Sequence, residues 1–216
     1  MVEKFCQNGR RVIQPVEIRA LTVRFDDRML FDRLDANLDV SGGIALMGAS
    51  GSGKTTLLRM IAGLAAPNEG VVDLKERTAI ITFQRPYIFK GTVRENMEFG
   101  MTIHGLPSEL RKSRLDQLSA ALGLRALLDC STRHLSGGEA ARVSIGRALA
   151  VNPELLLLDE ALSHLDKNTL VPIIALLRKF VADGGGLVLV THEEWLADAI
   201  CARKAVLENG RIIPMP

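Results

Sequence analysis

The sequence predicts an α/β fold with a mostly parallel sheet, an N-terminal antiparallel β subdomain and an inserted α-helical subdomain. Alternating strands joined by tight turns occupy residues 16–40. Later runs such as LLLL and LVLV are apolar throughout, as in parallel strands that are buried on both faces. Between these regions, leucines recur at helical spacing through residues 92–128, with Lys and Arg on the other face.

The composition is ordinary for a globular protein with one sizeable core. The chain has 216 residues, of which 47% are hydrophobic and 24% are charged. A net charge of +2 and an aromatic share of 4% give no support for a nucleic-acid partner. Cys6, Cys130 and Cys201 lie far apart without metal-ligand spacing, which favours free thiols in a reducing cytosol. Neither a secretory signal nor a run of about 18 apolar residues is present, so work at a membrane would need a partner.

The first part of the chain predicts strands that lead to a glycine-rich loop. Residues 1–15 are polar and basic and are predicted to be a loose leader, ahead of a single domain over 16–216. The predicted elements that follow are a strand over 16–25, a turn at Asp26–Asp27, a strand over Met29–Val40, a turn at Ser41–Gly43 and a buried strand over Ile44–Met47. The early strands are expected to pair in antiparallel fashion.

The later elements alternate between helices and strands. Two short strands, GVVDL and TAIITF, are separated by the short connection 75–77, and the helical subdomain over about 90–135 is inserted after them. The remaining predicted elements are a helix that begins at LSGGE and ends before Pro153, the buried strand ELLLLDE, a helix over about 166–183 in which Pro172 causes a kink or a late start, the strand LVLVTH, a helix at Trp195 and a hairpin turned at Asn209–Gly210.

The strongest local motif is GASGSGKT, which has the pattern G-x-x-x-x-G-K-T between an apolar strand and a helical run. Its glycines let successive backbone N–H groups point at phosphate oxygens, and the N-terminus of the following helix adds to the attraction. Lys54 would reach the β- and γ-phosphates, and Thr55 would give its hydroxyl to Mg²⁺. The alternative is a plain glycine-rich turn, which the filled positions and both flanks disfavour. The motif predicts a P-loop NTPase core that binds a nucleoside triphosphate, and the binding residues are Gly48, Ala49, Ser50, Gly51, Ser52, Gly53, Lys54, Thr55 and Thr56.

A pair of carboxylates follows the buried strand LLLLDE. Asp159, at the strand's C-terminal edge, is placed to hold Mg²⁺ directly or through water. The next side chain, Glu160, would point to the other side and polarise the attacking water. The alternative to these two roles is that both acids are simply exposed at the end of a strand.

A second anion-binding N-terminus is predicted at LSGGE, residues 135–139, where a Ser and two glycines begin a helix. A single chain does not need two anion-binding sites for one nucleotide. A head-to-tail dimer needs both, because each ATP can then lie between one subunit's phosphate loop and the other subunit's LSGGE. A plain capping box, with Ser136 as the N-cap and Glu139 completing it, is compatible with this interpretation.

Together these motifs resemble the nucleotide-binding subunit of the ATP-binding cassette (ABC) transporter family. GASGSGKT matches the family's Walker A motif, Gln84 its Q-loop glutamine, LSGGE its signature motif and LLLLDE its Walker B motif. SHLD, residues 163–166, resembles the D-loop, and His192 in VTHEE resembles the switch histidine. Phe25 stands 29 residues before Lys54, at the position of the aromatic residue that stacks on adenine. Order and spacing agree from the first strand to the terminal hairpin, so the resemblance covers nearly the whole chain.

For catalysis, the resemblance implies that Glu160 is the base, that His192 contacts the γ-phosphate and that Gln84 senses the γ-phosphate and the metal. Taken alone, Gln84 could be a surface loop residue, His192 a strand-end histidine and Phe25 a core residue, but their order in the chain disfavours this. The implied metal ligands are Thr55, Gln84 and Asp159, and Phe25 joins the loop residues as an ATP ligand.

The resemblance also implies contacts with ATP bound on the opposite subunit, made by Ser136, Gly137, Gly138 and Glu139. Asp166 would help to shape the dimer interface. Three positions depart from the family's commoner residues: Glu139 replaces Gln, Ala161 replaces Pro and His164 replaces a small residue. None of these changes removes a catalytic group.

The implied function is that of an ATP-hydrolysing subunit that dimerises on ATP, with an identical or a related cassette, and drives transport through a separate transmembrane permease. It would work at the cytoplasmic face of the inner or plasma membrane, and no nucleic-acid partner is expected. The segment PYIFKGTVRENMEFG would line the groove for the permease's coupling helix. Its sequence is closer to that of exporters, but the TEVGERG segment of exporters is missing before LSGGE. The direction of transport and the substrate therefore stay open.

Two alternatives come from other functional classes. A soluble cassette ATPase that acts on the ribosome or on DNA usually carries two cassettes or a long coiled-coil insertion, and the sequence has neither. A non-hydrolysing dimerisation module would lack Glu160 or His192, and both are present.

Overall fold

The structure is a computed structural model that describes residues 5–6, 10–11, 13–26, 28–163 and 165–216. Its strands are β1 (Phe5–Cys6), β2 (Arg10–Arg11), β3 (Val16–Phe25), β4 (Arg28–Leu38), β5 (Ile44–Met47), β6 (Glu69–Asp73), β7 (Ala79–Phe83), β8 (Leu155–Asp159), β9 (Gly186–Val190), β10 (Arg203–Glu208) and β11 (Arg211–Met215). Its α-helices are α1 (Lys54–Ile61), α2 (Val93–Ile103), α3 (Ser108–Ala121), α4 (Gly137–Ala150), α5 (Lys167–Ala182) and α6 (Glu194–Ile200).

A six-stranded, mostly parallel sheet contains the buried strands, in the order β11-β10-β5-β9-β8-β7. β9 pairs in parallel with both β5 and β8, β10 pairs in parallel with β5, and β11 returns antiparallel to β10. Every residue of β8 and β9 is buried, as predicted for parallel strands that are covered on both faces. The predicted α/β class with a mostly parallel sheet is therefore confirmed.

The predicted antiparallel β subdomain is a three-stranded sheet in the order β4-β3-β6. β3 pairs antiparallel with both neighbours, and its core side chains are Val16 and Ile18, then Leu21 and Val23, with a register shift between the two pairs. β6 and β7 belong to different sheets, although the connection between them is short. The second strand runs over Arg28–Leu38, slightly earlier than the predicted Met29–Val40.

The described residues form two compact units. The first contains the residues up to Ile81 together with 154–160 and 178–216, and the second contains 82–153 and 161–177. The second unit includes the predicted helical subdomain over 90–135 as well as α4 and most of α5. The predicted single domain over 16–216 stays a prediction.

In the second unit, α2 packs closely on α4. A Cβ on Gly146 of α4 would lie 2.8 Å from both Met97 Cε and Leu122 Cδ1, so a larger residue would have to displace the ends of these side chains. Met97, Leu122 and Val143 are fully or almost fully buried there. This packing fixes α4, whose first turn is the LSGGE motif.

Of the two effects predicted for Pro172, a kink or a late start of the helix over about 166–183, the late start does not occur. α5 begins at Lys167 and contains Pro172. A proline removes one backbone hydrogen bond and costs about 3 kcal/mol inside a helix. Leu170, Ile173 and Leu177 are at most 3% exposed, and burying such side chains contributes about 1.5–3 kcal/mol each, which offsets that cost.

The terminal hairpin forms as predicted. Asn209 and Gly210 have φ values of 48° and 71°, the left-handed pair required by a two-residue type I′ turn between β10 and β11.

The predicted loose leader, 1–15, lies mostly outside the described residues. Within it, β1 pairs antiparallel with β2, and residues 13–15 have no regular structure. The leader therefore stays a prediction. In the described part of the chain, no helix is both long enough and apolar enough to cross a bilayer.

Candidate functional site

The functional motifs of the first unit follow the ends of three parallel strands. β5 runs into the GASGSGKT loop, β8 ends at Asp159 just before Glu160, and His192 is the second residue after β9. β9 lies between β5 and β8 in the sheet. Since the three strands are parallel, their carboxyl ends lie at one edge, which is where open α/β sheets bind ligands.

Two glycines are required by the backbone of the phosphate loop. Gly48 and Gly53 have φ values of 137° and 105°, a region that residues with a Cβ rarely adopt. A Cβ on Gly48 would lie 2.4 Å from Leu207 O, and one on Gly53 would lie 2.7 Å from Phe31 Cζ. The loop therefore packs its bare backbone against β10 and β4, and α1 begins directly after it at Lys54.

Lys54 is held inside the loop. Its ammonium donates hydrogen bonds to Gly48 O at 2.7 Å and to Ala49 O at 2.9 Å, and the residue is 5% exposed. Burial lowers the pKa of the Lys54 ammonium, whereas the nearby carboxylates of Glu160 and Asp159 raise it. An entering phosphate would replace the two neutral carbonyl acceptors with negatively charged oxygens, which bind the ammonium more strongly.

Thr55 and Asp159 form the candidate Mg²⁺ position. Thr55 Oγ1 donates to Asp159 Oδ1 at 3.1 Å, across 104 residues of sequence. Burial raises the pKa of Asp159, and the hydrogen bond from Thr55 opposes this shift. A hydroxyl beside a carboxylate at the start of a phosphate-loop helix is the oxygen set that Mg²⁺ accepts when phosphates complete its shell, so the residues fit the ion.

Glu160 and His192 contact each other. Glu160 Oε1 lies 3.0 Å from His192 Nε2, and both side chains remain partly exposed, at 25% and 50%. The Glu160 N–H donates to Val190 O, so the end of β8 is joined to the end of β9 beside the histidine. The carboxylate is thus oriented by a second side chain at a position that water can reach.

Glu160 has an unusual backbone conformation. Its φ is 51°, in the left-handed region that costs a non-glycine residue about 1–2 kcal/mol. Asp159 is the last residue of β8, so this turn sends the two consecutive carboxylates in different directions. Backbone strain of this kind directly after the C-terminal end of a buried strand supports a functional role for the residue.

The left-handed backbone at Glu160 predicts a reversed order of stability for two truncations. We expect Glu160→Gly to be more stable than Glu160→Ala by about 1 kcal/mol, because both lose the His192 contact but only alanine keeps a strained Cβ. The midpoints of urea unfolding measure the difference. The same pair at the helical position Ala141 is the control, where alanine should be the more stable residue. A Glu160→Gly variant less stable than Glu160→Ala would contradict the strain.

Phe25, predicted to stack on adenine, lies at the end of β3 and is 55% exposed. It pairs in register with Arg28, whose Nη2 donates to Gly51 O at 3.2 Å and so ties the hairpin to the phosphate loop. Beside this contact lies a cleft of about 770 Å³, lined by residues of β4, by Ala49–Ser52 and by the terminal hairpin. Phe25 is not among the lining residues, and its role in adenine binding stays a prediction.

Gln84 and Asp166 are predicted site residues of the second unit. Gln84 Nε2 donates to Ser163 Oγ at 3.4 Å, which brings the Q-loop glutamine to the D-loop segment. The Asp166 carboxylate accepts bonds from Thr169 N at 3.0 Å and Thr169 Oγ1 at 2.6 Å, which lower its pKa. Asp166 therefore caps the first turn of α5, a structural role that the sequence analysis did not include. His164 lies outside the described residues.

The LSGGE motif forms the capping box that the sequence analysis allowed. Ser136 is the N-cap of α4, its Oγ accepts from Glu139 N at 3.3 Å, and the Glu139 carboxylate accepts from Ser136 N at 2.8 Å. A Cβ on Gly137 would meet no atom within 4 Å, so the first turn of α4 is open at this point. Open amides at a helix N-terminus can bind an anion.

One functional candidate was missed by the sequence analysis. Arg147, on α4, donates to Tyr87 O at 2.6 Å and to Asn96 Oδ1 at 3.3 Å, and its guanidinium lies 4.6 Å from the centre of the Phe89 ring. Burial lowers the pKa of Arg147. These contacts hold the loop after Gln84, but they join positions more than 50 residues apart, so no local pattern indicates them.

Comparison with known proteins places these features in context. The family model described as ABC transporter matches residues 31–163. The chain is 38% identical over 218 residues to the methionine import ATP-binding protein of Leifsonia xyli subsp. xyli, which covers 92% of this chain and 64% of that protein. It is 39% identical over 193 residues to the sulfate/thiosulfate import ATP-binding protein of Synechocystis sp., which covers 82% of this chain and 54% of that protein.

A solved structure described as an ATP binding subunit of an ABC transporter has a similar fold. The TM-score is 0.85 at 23% identity, over 92% of this chain and 88% of that chain. Against the two import proteins, by contrast, the chain spans less than two thirds of their length, 64% and 54%.

Proposed function

The chain belongs to the ABC transporter family, and we propose that it is an ATP-hydrolysing subunit that drives a separate membrane-spanning permease. The observation that carries this proposal is the meeting of Thr55 with Asp159 and of Glu160 with His192, at 3.1 and 3.0 Å, beside one phosphate loop. The relatives named as import ATP-binding proteins support import as the direction. The cytoplasmic face of the membrane is the corresponding place of work.

In the proposed reaction, the loop amides and Lys54 bind the β- and γ-phosphates of ATP. Thr55 and Asp159 would hold Mg²⁺, which supplies positive charge to the phosphate oxygens when it is bound. Glu160 orients the attacking water and accepts its proton at a carboxylate oxygen. His192 keeps that carboxylate in place through the contact between Nε2 and Oε1.

We further propose that two cassettes pair head to tail when ATP binds. The open first turn of α4 supports this, since Gly137 and Gly138 begin a helix whose free amides can bind an anion. Each ATP would lie between the phosphate loop of one subunit and the LSGGE motif of the other. The partner is a second copy or a related cassette.

The permease would dock on an aromatic surface in the second unit, formed by Tyr87, Phe89 and Phe99. Tyr87 is 71% exposed and Phe99 is 44% exposed, and the Phe89 ring contacts both, with centroid distances of 5.3 and 4.4 Å. Exposed aromatic residues that touch one another are typical of the core of a protein interface. The Arg147 guanidinium contacts the Phe89 ring and the carbonyl of Tyr87, and so supports this surface.

Removing the outer rings of the aromatic surface should release the permease. We expect the double variant Tyr87→Ala/Phe99→Ala to retain at least about tenfold less permease on affinity purification from detergent-solubilised membranes, because each hot-spot aromatic contributes at least about 2 kcal/mol and tenfold corresponds to about 1.4 kcal/mol. Leu64→Ala is the matched control, as Leu64 is 62% exposed in the first unit. Full retention of the permease by the double variant would contradict docking at this surface.

The proposed function is tested by affinity capture of the chain from detergent-solubilised native membranes, together with a phosphate-release assay. Stoichiometric capture of a polytopic membrane protein and steady ATP hydrolysis are expected. Ribosomal or DNA-associated partners without a membrane protein would leave the ATPase but overturn the transport role. No phosphate release by the captured complex would overturn the ATPase itself.

A further inference from the structure

The signature serine of this chain already has a partner. Ser136 Oγ donates a hydrogen bond to Glu139 Oε2 at 2.7 Å, and the same carboxylate oxygen accepts the Ser136 N–H at 2.8 Å. Ser136 and Gly137 are exposed, and Glu139 is half-buried beside them. The hydroxyl that would meet a phosphate is therefore directed at a carboxylate of its own helix.

The Glu139 carboxylate is charged at neutral pH. The hydrogen bonds from the Ser136 hydroxyl and N–H, together with the charge of Arg142, lower its pKa. Arg142 Nη1 is itself directed at Leu122 O, 2.8 Å away, so the guanidinium is held on the other side by a backbone carbonyl. The first turn of α4 thus carries one negative charge next to the amides of Gly137 and Gly138.

Resting on the proposed head-to-tail pairing, we propose that Glu139 competes with the γ-phosphate of the partner's ATP for Ser136 and for the N-terminus of α4. Pairing requires the Ser136 hydroxyl to leave the carboxylate and to donate to a phosphate oxygen instead. The carboxylate then remains near that phosphate and repels it. Glu139 therefore weakens ATP-driven pairing and sets the ATP concentration at which two cassettes associate.

The size of the effect follows from charge and symmetry. A single charge at a helix N-terminus, at the surface of a protein, changes the affinity for an anion by about threefold. A dimer of identical chains contains the contact twice, so removal of both carboxylates should tighten pairing by about tenfold. Because the carboxylates are partly exposed, the difference should shrink at high ionic strength.

The chain contains a matched control for this change. α2 begins with the same capping box, in which Glu95 accepts from Thr92 N at 2.7 Å and Thr92 Oγ1 accepts from Glu95 N at 3.1 Å. Glu95→Gln removes the same charge from the same kind of helix start in the same unit. Glutamine also completes a capping box, so both variants keep their helix N-termini.

The test measures the dimer dissociation constant in ATP and Mg²⁺ by sedimentation, with every chain carrying Glu160→Gln to prevent hydrolysis. We expect Glu139→Gln to lower this constant about tenfold at 50 mM salt and about twofold at 500 mM, and Glu95→Gln to leave it unchanged. Glu139→Ala, which frees Ser136 altogether, should tighten pairing at least as much as Glu139→Gln.

Two results would overturn the inference while leaving the proposed function intact. One is pairing of equal or lower strength in Glu139→Gln, and the other is equal tightening by Glu95→Gln. A third result would contradict both the inference and the proposed head-to-tail dimer. That result is the absence of ATP-dependent pairing in every variant, whichever residue occupies position 139.

Discussion

Replacing Glu160 by glutamine is expected to lower the rate of ATP hydrolysis about 1,000-fold while ATP remains bound. The amide has the shape of the carboxylate and can still contact His192 Nε2, now 3.0 Å from Oε1, but it cannot accept a proton from water. The expected consequence is a stable ATP-bound dimer. Phosphate release measures the first effect, and sedimentation of the ATP complex measures the second.

A nearby glutamate serves as the control for this substitution. Glu194 lies two residues after His192 and pairs with Lys204 at 3.3 Å, and Glu194→Gln should hydrolyse ATP at the native rate. Turnover by Glu160→Gln within about tenfold of the native rate would remove Glu160 from the role of base.

The contact between Glu160 and His192 also predicts non-additive losses. His192→Ala alone should slow hydrolysis substantially, because the carboxylate loses the group that orients it. In the Glu160→Gln background the same change should have little further effect on the rate, since the two residues act as one unit. Losses that simply multiply would indicate two independent roles.

Much of the site could be predicted because its parts are local in the sequence. The phosphate loop, the LLLLDE strand and the LSGGE helix are each recognisable within about ten residues, and the buried parallel strands place the loop and the two carboxylates at one edge of their sheet. The contacts between these parts were not predictable. The left-handed backbone of Glu160 and its approach to His192 depend on the pairing of β8 with β9, which joins residues about 30 positions apart.

Two further features escaped the sequence for the same reason. Arg147 contacts Tyr87 and Phe89 only because α4 packs beside α2. A basic residue in a helical sequence does not by itself predict such a contact. The local preference of Pro172 predicts a kink or a late start of its helix, but the helix begins five residues before the proline. The buried face of α5 on both sides of the proline decides the outcome instead.

Replacing Lys54 by alanine should weaken ATP binding about 100-fold. Lys54 is 5% exposed, and its ammonium donates to Gly48 O and Ala49 O. The ammonium therefore lies within the loop that would bind the phosphates of ATP. Hydrogen bonds to charged groups contribute about 1.5–3 kcal/mol each, and loss of one such bond with its charge corresponds to the expected factor. Calorimetric titration with a non-hydrolysable ATP analogue measures the affinity.

The Lys54 prediction needs a control that separates charge from loop structure. Lys75→Ala removes a cation in the connection between β6 and β7 that pairs with Asp73 at 2.9 Å, and it should leave the affinity unchanged. Lys54→Met keeps the apolar stem within the loop and should lose as much affinity as alanine, because the loss arises from the ammonium. Fluorescence of Trp195, the one tryptophan of the chain, reports binding independently from a position three residues after His192. Near-native affinity in both Lys54 variants would mean that the loop amides alone hold the phosphates, and the lysine would then act only after binding, on the charge that develops as the γ-phosphate leaves.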